Sequence, residues 1–203
     1  MEPDFPTKNN KELFTPIGRL VDIGDIKLHI YVEGVGSPTV IFDTGHGTCS
    51  AVTEWSLVQP EVAKITRTIV YDRAGMGWSE ESKNSRNSEQ IVEELHSLLV
   101  NSDEKPPYIL VGHSFGALNM ILFANKYPDK VAGLVLVDGG SVDFYRNYFK
   151  APKLLMYTLN IFNKMGIFRV FGKLGLIPHI RDRRKRLTEK MVHWMRRSFI
   201  NIT

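Results

Sequence analysis

The chain has 203 residues, of which 43% are hydrophobic and 24% charged, with a formal net charge of +4. This composition fits one folded domain with an appended subdomain and excludes a disordered or fibrous chain. Cys49 is the only cysteine, so an intrachain disulfide is excluded and a reducing compartment is compatible. The net charge is unevenly spread. Residues 1–143 carry 12 Lys and Arg against 20 Asp and Glu, whereas residues 144–203 carry 14 against 2. The switch predicts two units, a core over 1–143 and a basic segment over 144–203. The stretch Met1 to Lys11 is polar and lacks the basic start and apolar centre of a signal peptide, so a cytoplasmic protein is expected.

In chain order, Gly18 to Ile23 and Ile26 to Glu33 are β-rich runs around Gly24-Asp25, which predicts a hairpin. Thr39 to Phe42 reads as a strand broken by Gly45-His46-Gly47. Val52, Trp55, Val58, Val62 and Ile65 fall at helical spacing, with Pro60 as the expected break. Thr68 to Tyr71 is a strand that runs into the glycine-bearing loop Asp72 to Ser79. Ser88 is the expected N-cap of a helix whose apolar stripe is Ile91, Val92, Leu95, Leu98 and Leu99. Tyr108 to Val111 is a strand, Ser114 to Tyr127 a helix stopped by Pro128, and Val131 to Val137 a strand stopped by Asp138-Gly139-Gly140. A hairpin followed by strand–helix alternation predicts an α/β fold, a mostly parallel sheet with helices on both faces. Beyond residue 143 the alternation stops. Leu154 to Phe168 is apolar and helix-like but too interrupted to span a membrane.

Gly112-His113-Ser114-Phe115-Gly116 lies between a strand and a helix. A serine on so tight a turn holds a strained backbone, and glycines two residues to either side let neighbouring chain pass without a Cβ clash. Its oxygen then stands above the carboxyl edge of the sheet, next to a helix N-terminus. With Val40 to Gly47, Tyr71 to Ser79 and Ala124 to Asp138 in the same order, the chain resembles the α/β-hydrolase superfamily in its serine esterase and peptidase-like branch. The resemblance covers residues ~15 to ~143.

The resemblance implies an acyl-transfer enzyme acting on a small-molecule ester or other acyl substrate, with Ser114 as nucleophile and no cofactor. Thr44-Gly45-His46-Gly47 takes the place of the family's His-Gly-x turn, which implies an oxyanion hole made by the backbone N–H groups of His46 and Phe115, with Gly47 as the alternative to His46. Asp72, Arg73 and Gly75 to Ser79 are implied to brace the site. His113 is expected to be a packed support. The family order is serine, then acid, then histidine. Asp138 is a candidate acid, with a loop hydrogen bond as its other reading. Only His179 and His193 follow Ser114, and both read as residues of a helical lid.

The expected architecture is therefore an α/β-hydrolase fold shortened by its last two strands, about 60 to 100 residues, with residues 144–203 as a basic lid-like segment. That segment could also meet an anionic membrane surface; no nucleic-acid motif is present and no metal-ligand spacing appears. Without further strands, Val131 to Val137 would be an apolar sheet edge open to self-association. The alternative function is a binding protein that keeps the serine turn without a complete triad.

Overall fold

The computed structural model describes residues 16–140, 157–158, 161–162 and 165–167. Strands β1 (Arg19–Asp22) and β2 (Lys27–Glu33) form the expected antiparallel hairpin. Its turn is closed by the Ile23 N–H donating to the Ile26 carbonyl and the Gly24 N–H donating to the Asp22 carboxylate. Gly24 has φ 112, a conformation that side chains other than hydrogen disfavour. Then come β3 (Thr39–Asp43), helices α1 (Ala51–Glu54) and α2 (Gln59–Ala63), β4 (Thr68–Tyr71), α3 (Ser88–Asn101), β5 (Tyr108–His113), α4 (Phe115–Lys126), a 3-10 turn at Pro128–Lys130 and β6 (Val131–Val137).

The sheet order is β1-β2-β4-β3-β5-β6. The pairing of β2 with β4 is antiparallel, and β4, β3, β5 and β6 are mutually parallel. All residues of β3 and β4 are buried, as expected of parallel strands covered on both faces. Strand residues alternate between faces. Ile41, Ile69, Tyr71 and Leu110 pack with the α3 stripe, Met120 and Phe123. Val40, Phe42, Val70 and Val111 pack under Ala51, Val52 and Trp55 of the opposite layer. Leu95, Leu98 and Leu99 of α3 are at most 1% exposed, so truncating any one of them to alanine costs about 2–5 kcal/mol.

Three local expectations are corrected. The break expected at Pro60 falls earlier in the run Ala51 to Ile65, between α1 and α2, and Pro60 sits in the first turn of α2, where its missing N–H costs nothing. The N-cap of α3 is Asn87, whose side chain accepts the Gln90 N–H at 2.9 Å, and Ser88 is the first helical residue. Helix α4 starts at Phe115, with Ser114 left outside the helix.

β6 is an edge among the described strands. Leu134, Val135, Leu136 and Val137 are 39–47% exposed. The division at residue 143 and the basic segment over 144–203 lie outside the described residues, apart from Tyr157, Thr158, Ile161, Phe162 and 165–167. Among the described residues no helix is long and apolar enough to cross a membrane.

Candidate functional site

Strands β3, β4 and β5 run parallel and end on one edge of the sheet, the edge where sheets of this kind bind ligands. At the end of β5 the chain turns abruptly into α4. Ser114 occupies the turn at φ 52 and ψ −115, a region that costs a serine of order 1–3 kcal/mol. Surrounding contacts enforce it. The Ser114 N–H donates to the Val137 carbonyl of β6 at 3.0 Å, and the Ser114 carbonyl accepts the Ala117 N–H at 3.1 Å. A Cβ on Gly112 would lie 2.6 Å from Ala117 Cα, and one on Gly116 would lie 2.7 Å from the Thr44 carbonyl oxygen. Both glycines are therefore required by close backbone approach.

The loop after β3 lies against this turn. A Cβ on Gly45 would sit 3.4 Å from Ser114 Cβ, and the His46 and Phe115 rings meet edge to face at 4.6 Å. Buried groups hold the loop. Asp43 Oδ1 accepts the Thr44 N–H at 2.8 Å, and its Oδ2 accepts an amide N–H of Asn119 on α4 at 2.8 Å. Arg73 donates from Nη2 to the Gly45 carbonyl at 2.8 Å and to Thr44 Oγ1 at 3.1 Å. Its guanidinium also lies 5.3 Å from the Phe115 ring centre and pairs with Asp43 at 3.5 Å. The Gly45 N–H donates to Glu54 Oε1 at 3.1 Å. The N–H groups of Thr44 and Gly45 are thus both taken by carboxylates and are not available to an oxyanion. His46 is exposed in part. Desolvation of the rest of its ring, then the nearby Arg73 charge, lowers its pKa below the ordinary histidine value, so the ring is neutral at neutral pH.

The loop after β4 braces the site from below. Asp72 is fully buried. Its carboxylate accepts from the Ala51 N–H at 2.7 Å, the Trp78 N–H at 3.2 Å and His29 Nδ1 at 2.8 Å. One side chain so fixes the start of α1, the glycine loop and β2. A Cβ on Gly77 would lie 2.1 Å from Asp72 Oδ2. His113 Nδ1 donates to Glu54 Oε1 at 2.7 Å, so the residue before Ser114 is held by α1, as a support. Asp138 follows the residue whose carbonyl holds the Ser114 N–H, has φ 46 and is exposed. His179 and His193 lie outside the described residues. Among the described residues no three His, Cys, Asp or Glu side chains group as metal ligands.

The sequence pattern does not single out Asp43, Glu54 or Asn119. Each sits in an element whose apolar neighbours explain the spacing, and their partners are 76 and 59 positions away for Asn119–Asp43 and His113–Glu54. The one available signal is an aspartate closing an otherwise apolar strand at Asp43.

The sheet order and the strained serine between two close-packed glycines coincide with a family match, since the α/β-hydrolase fold model covers residues 38–170. The chain belongs to the α/β-hydrolase fold family. The uncharacterized protein YbdG of Bacillus subtilis is 33% identical over 175 residues, which cover 84% of this chain and 54% of that protein. The 2-hydroxymuconate semialdehyde hydrolase of a Pseudomonas species is 30% identical over 131 residues, covering 63% of this chain and 45% of that enzyme. Among solved structures, a meta-cleavage product hydrolase of Pseudomonas fluorescens superposes with a TM-score of 0.57 at 22% identity, over 67% of this chain and 52% of that one. This α/β-hydrolase chain spans about half the length of the curated relatives it matches.

Proposed function

We propose that this is a serine hydrolase that passes an acyl group through Ser114. The Ser114 Oγ forms a bond to the substrate's carbonyl carbon, its proton goes to a base, and the bond to the leaving group breaks as that group is protonated. Water then attacks the acyl-enzyme and regenerates the serine. The observation that carries this reading is the backbone of Ser114. A non-glycine residue at φ 52 and ψ −115 is held there at a cost, and such strain clusters at functional sites. The N–H groups of His46 and Phe115 are the proposed oxyanion donors, each worth about 10²–10³ in rate. The Thr44 and Gly45 N–H groups are engaged elsewhere, which supports seeking the loop donor at His46, with Gly47 as the alternative. Asp138 is the proposed acid, one residue past the strand that anchors the elbow.

The substrate class we propose is a small carboxylic ester or related acyl compound. Relatives named for 2-hydroxymuconate semialdehyde and for 2-(acetamidomethylene)succinate support small, carboxylate-bearing molecules as the starting set. A panel of aryl esters and carboxylate-bearing acyl compounds assayed with wild type and Ser114→Ala tests this. Turnover above the uncatalysed rate that disappears in Ser114→Ala supports it. Binding of the panel without turnover points instead to a ligand-binding relative that keeps the elbow.

A further inference from the structure

We infer that Glu54 is a positioning residue, the tether that holds the loop after β3 against the serine turn; this rests on Ser114 being the nucleophile. Glu54 ends the short helix α1, and its side chain is 19% exposed. Three groups from different places converge on its carboxylate. Oε1 accepts the Gly45 N–H at 3.1 Å and the His113 Nδ1 proton at 2.7 Å. Oε2 accepts the Thr48 hydroxyl. Gly45 and Thr48 bracket His46, and His113 is bonded to Ser114. One carboxylate therefore sets the distance between the loop carrying one proposed oxyanion donor and the turn carrying the nucleophile.

The arrangement is selective about geometry. A Cβ at Gly45 would lie 3.1 Å from His113 Nδ1, so loop and elbow are already in contact and the loop has little room to shift toward Ser114. Movement away is resisted by Glu54 on one side and by Arg73, through the Gly45 carbonyl, on the other. The same peptide stretch is thus gripped at its N–H by an acid and at its carbonyl by a base. A displacement of about 1 Å in a catalytic array can cost 10²-fold in rate. The role depends on the reach of the side chain and on the Oε1 acceptor shared by Gly45 and His113, not on charge. A glutamine at this position keeps Oε1 as acceptor for Gly45 and His113 and donates from Nε2 to the Thr48 oxygen.

The test compares Glu54→Gln, Glu54→Asp and Glu54→Ala in the full chain by amide hydrogen exchange at Gly45 and by the rate at which a fluorophosphonate labels Ser114. Aspartate keeps the charge and loses reach; glutamine does the reverse. The expected result is wild-type-like behaviour for Glu54→Gln. Glu54→Asp and Glu54→Ala should exchange at Gly45 about tenfold faster or more and label about 10²-fold more slowly. Circular dichroism checks that each variant folds; if Glu54→Ala does not, the Gln and Asp pair carries the comparison alone. Glu54→Gln failing like Glu54→Asp, or Gly45 exchange unchanged in Glu54→Asp, overturns the inference. A wild type that never labels while the exchange pattern holds overturns the nucleophile reading and leaves the tether standing.

Discussion

Gly112→Ala is the sharpest test of why the serine turn has its sequence. A Cβ at this position lies 2.6 Å from Ala117 Cα, from Ala117 N and from the Gly116 carbonyl oxygen. Ordinary van der Waals contact begins at 3.4 Å, so three backbone atoms of α4 must retreat by about 0.8 Å together. None is the end of a side chain that could rotate aside. Retreat of α4 carries Ala117 away from the Ser114 carbonyl and weakens the bond that closes the turn. Overpacking a close-packed site costs about 1–3 kcal/mol, and rigid backbone on all sides places this variant at the upper end. Urea unfolding of the full chain reads the stability and fluorophosphonate labelling reads the serine. A midpoint within error of wild type, with labelling unchanged, would show that backbone approach does not dictate glycine here.

Asp72→Asn replaces a buried acceptor of three donors by a group whose NH2 must face one of them. A loss of about 3–5 kcal/mol is expected by urea unfolding, and a loss below about 1 kcal/mol would contradict the bracing role. His96 is half-buried, stacks on Tyr127 at 4.1 Å and accepts from Lys130. Desolvation, then the Lys130 charge, holds its pKa below the ordinary 6.5. The unfolded chain therefore takes up this proton first as pH falls, and stability is lost on going below 6.5. His96→Asn should flatten that part of the urea midpoint's dependence on pH; an unaltered slope would show that His96 does not contribute. The exposed apolar edge at β6 is expected to drive weak self-association. Sedimentation velocity across a dilution series should show it in wild type and show less in Val135→Lys, and a single monomeric species at every concentration would count against it.

The sheet was legible because its strands carry local signals. The runs of β3, β4 and β6 are apolar and bounded by turn residues, and the Gly24-Asp25 turn announces the hairpin. The α3 stripe is legible for the same reason, since helical spacing and burial coincide there. Boundaries set by side-chain competition were less legible. Asn87 wins the cap from Ser88 because its carbonyl oxygen reaches the Gln90 N–H, and the local sequence offers both. The break in the run Ala51 to Ile65 falls between Glu54 and Gln59 and not at Pro60, which the first turn of α2 accepts, and helical spacing does not report where such a break falls. At the site, Ser114, Gly112 and Gly116 follow from one short pattern. Asp43, Glu54 and Asn119 do not, because their roles exist only when distant segments meet at the carboxyl edge of the sheet.

The strained turn is proposed to present a reactive serine. Incubating the folded 203-residue chain with a fluorophosphonate, digesting it and mapping the adduct by mass spectrometry tests this most directly. One adduct is expected, on Ser114, formed far faster than in denatured protein and absent from Ser114→Ala. Labelling no faster than in the denatured chain, or an adduct that persists in Ser114→Ala, would contradict it.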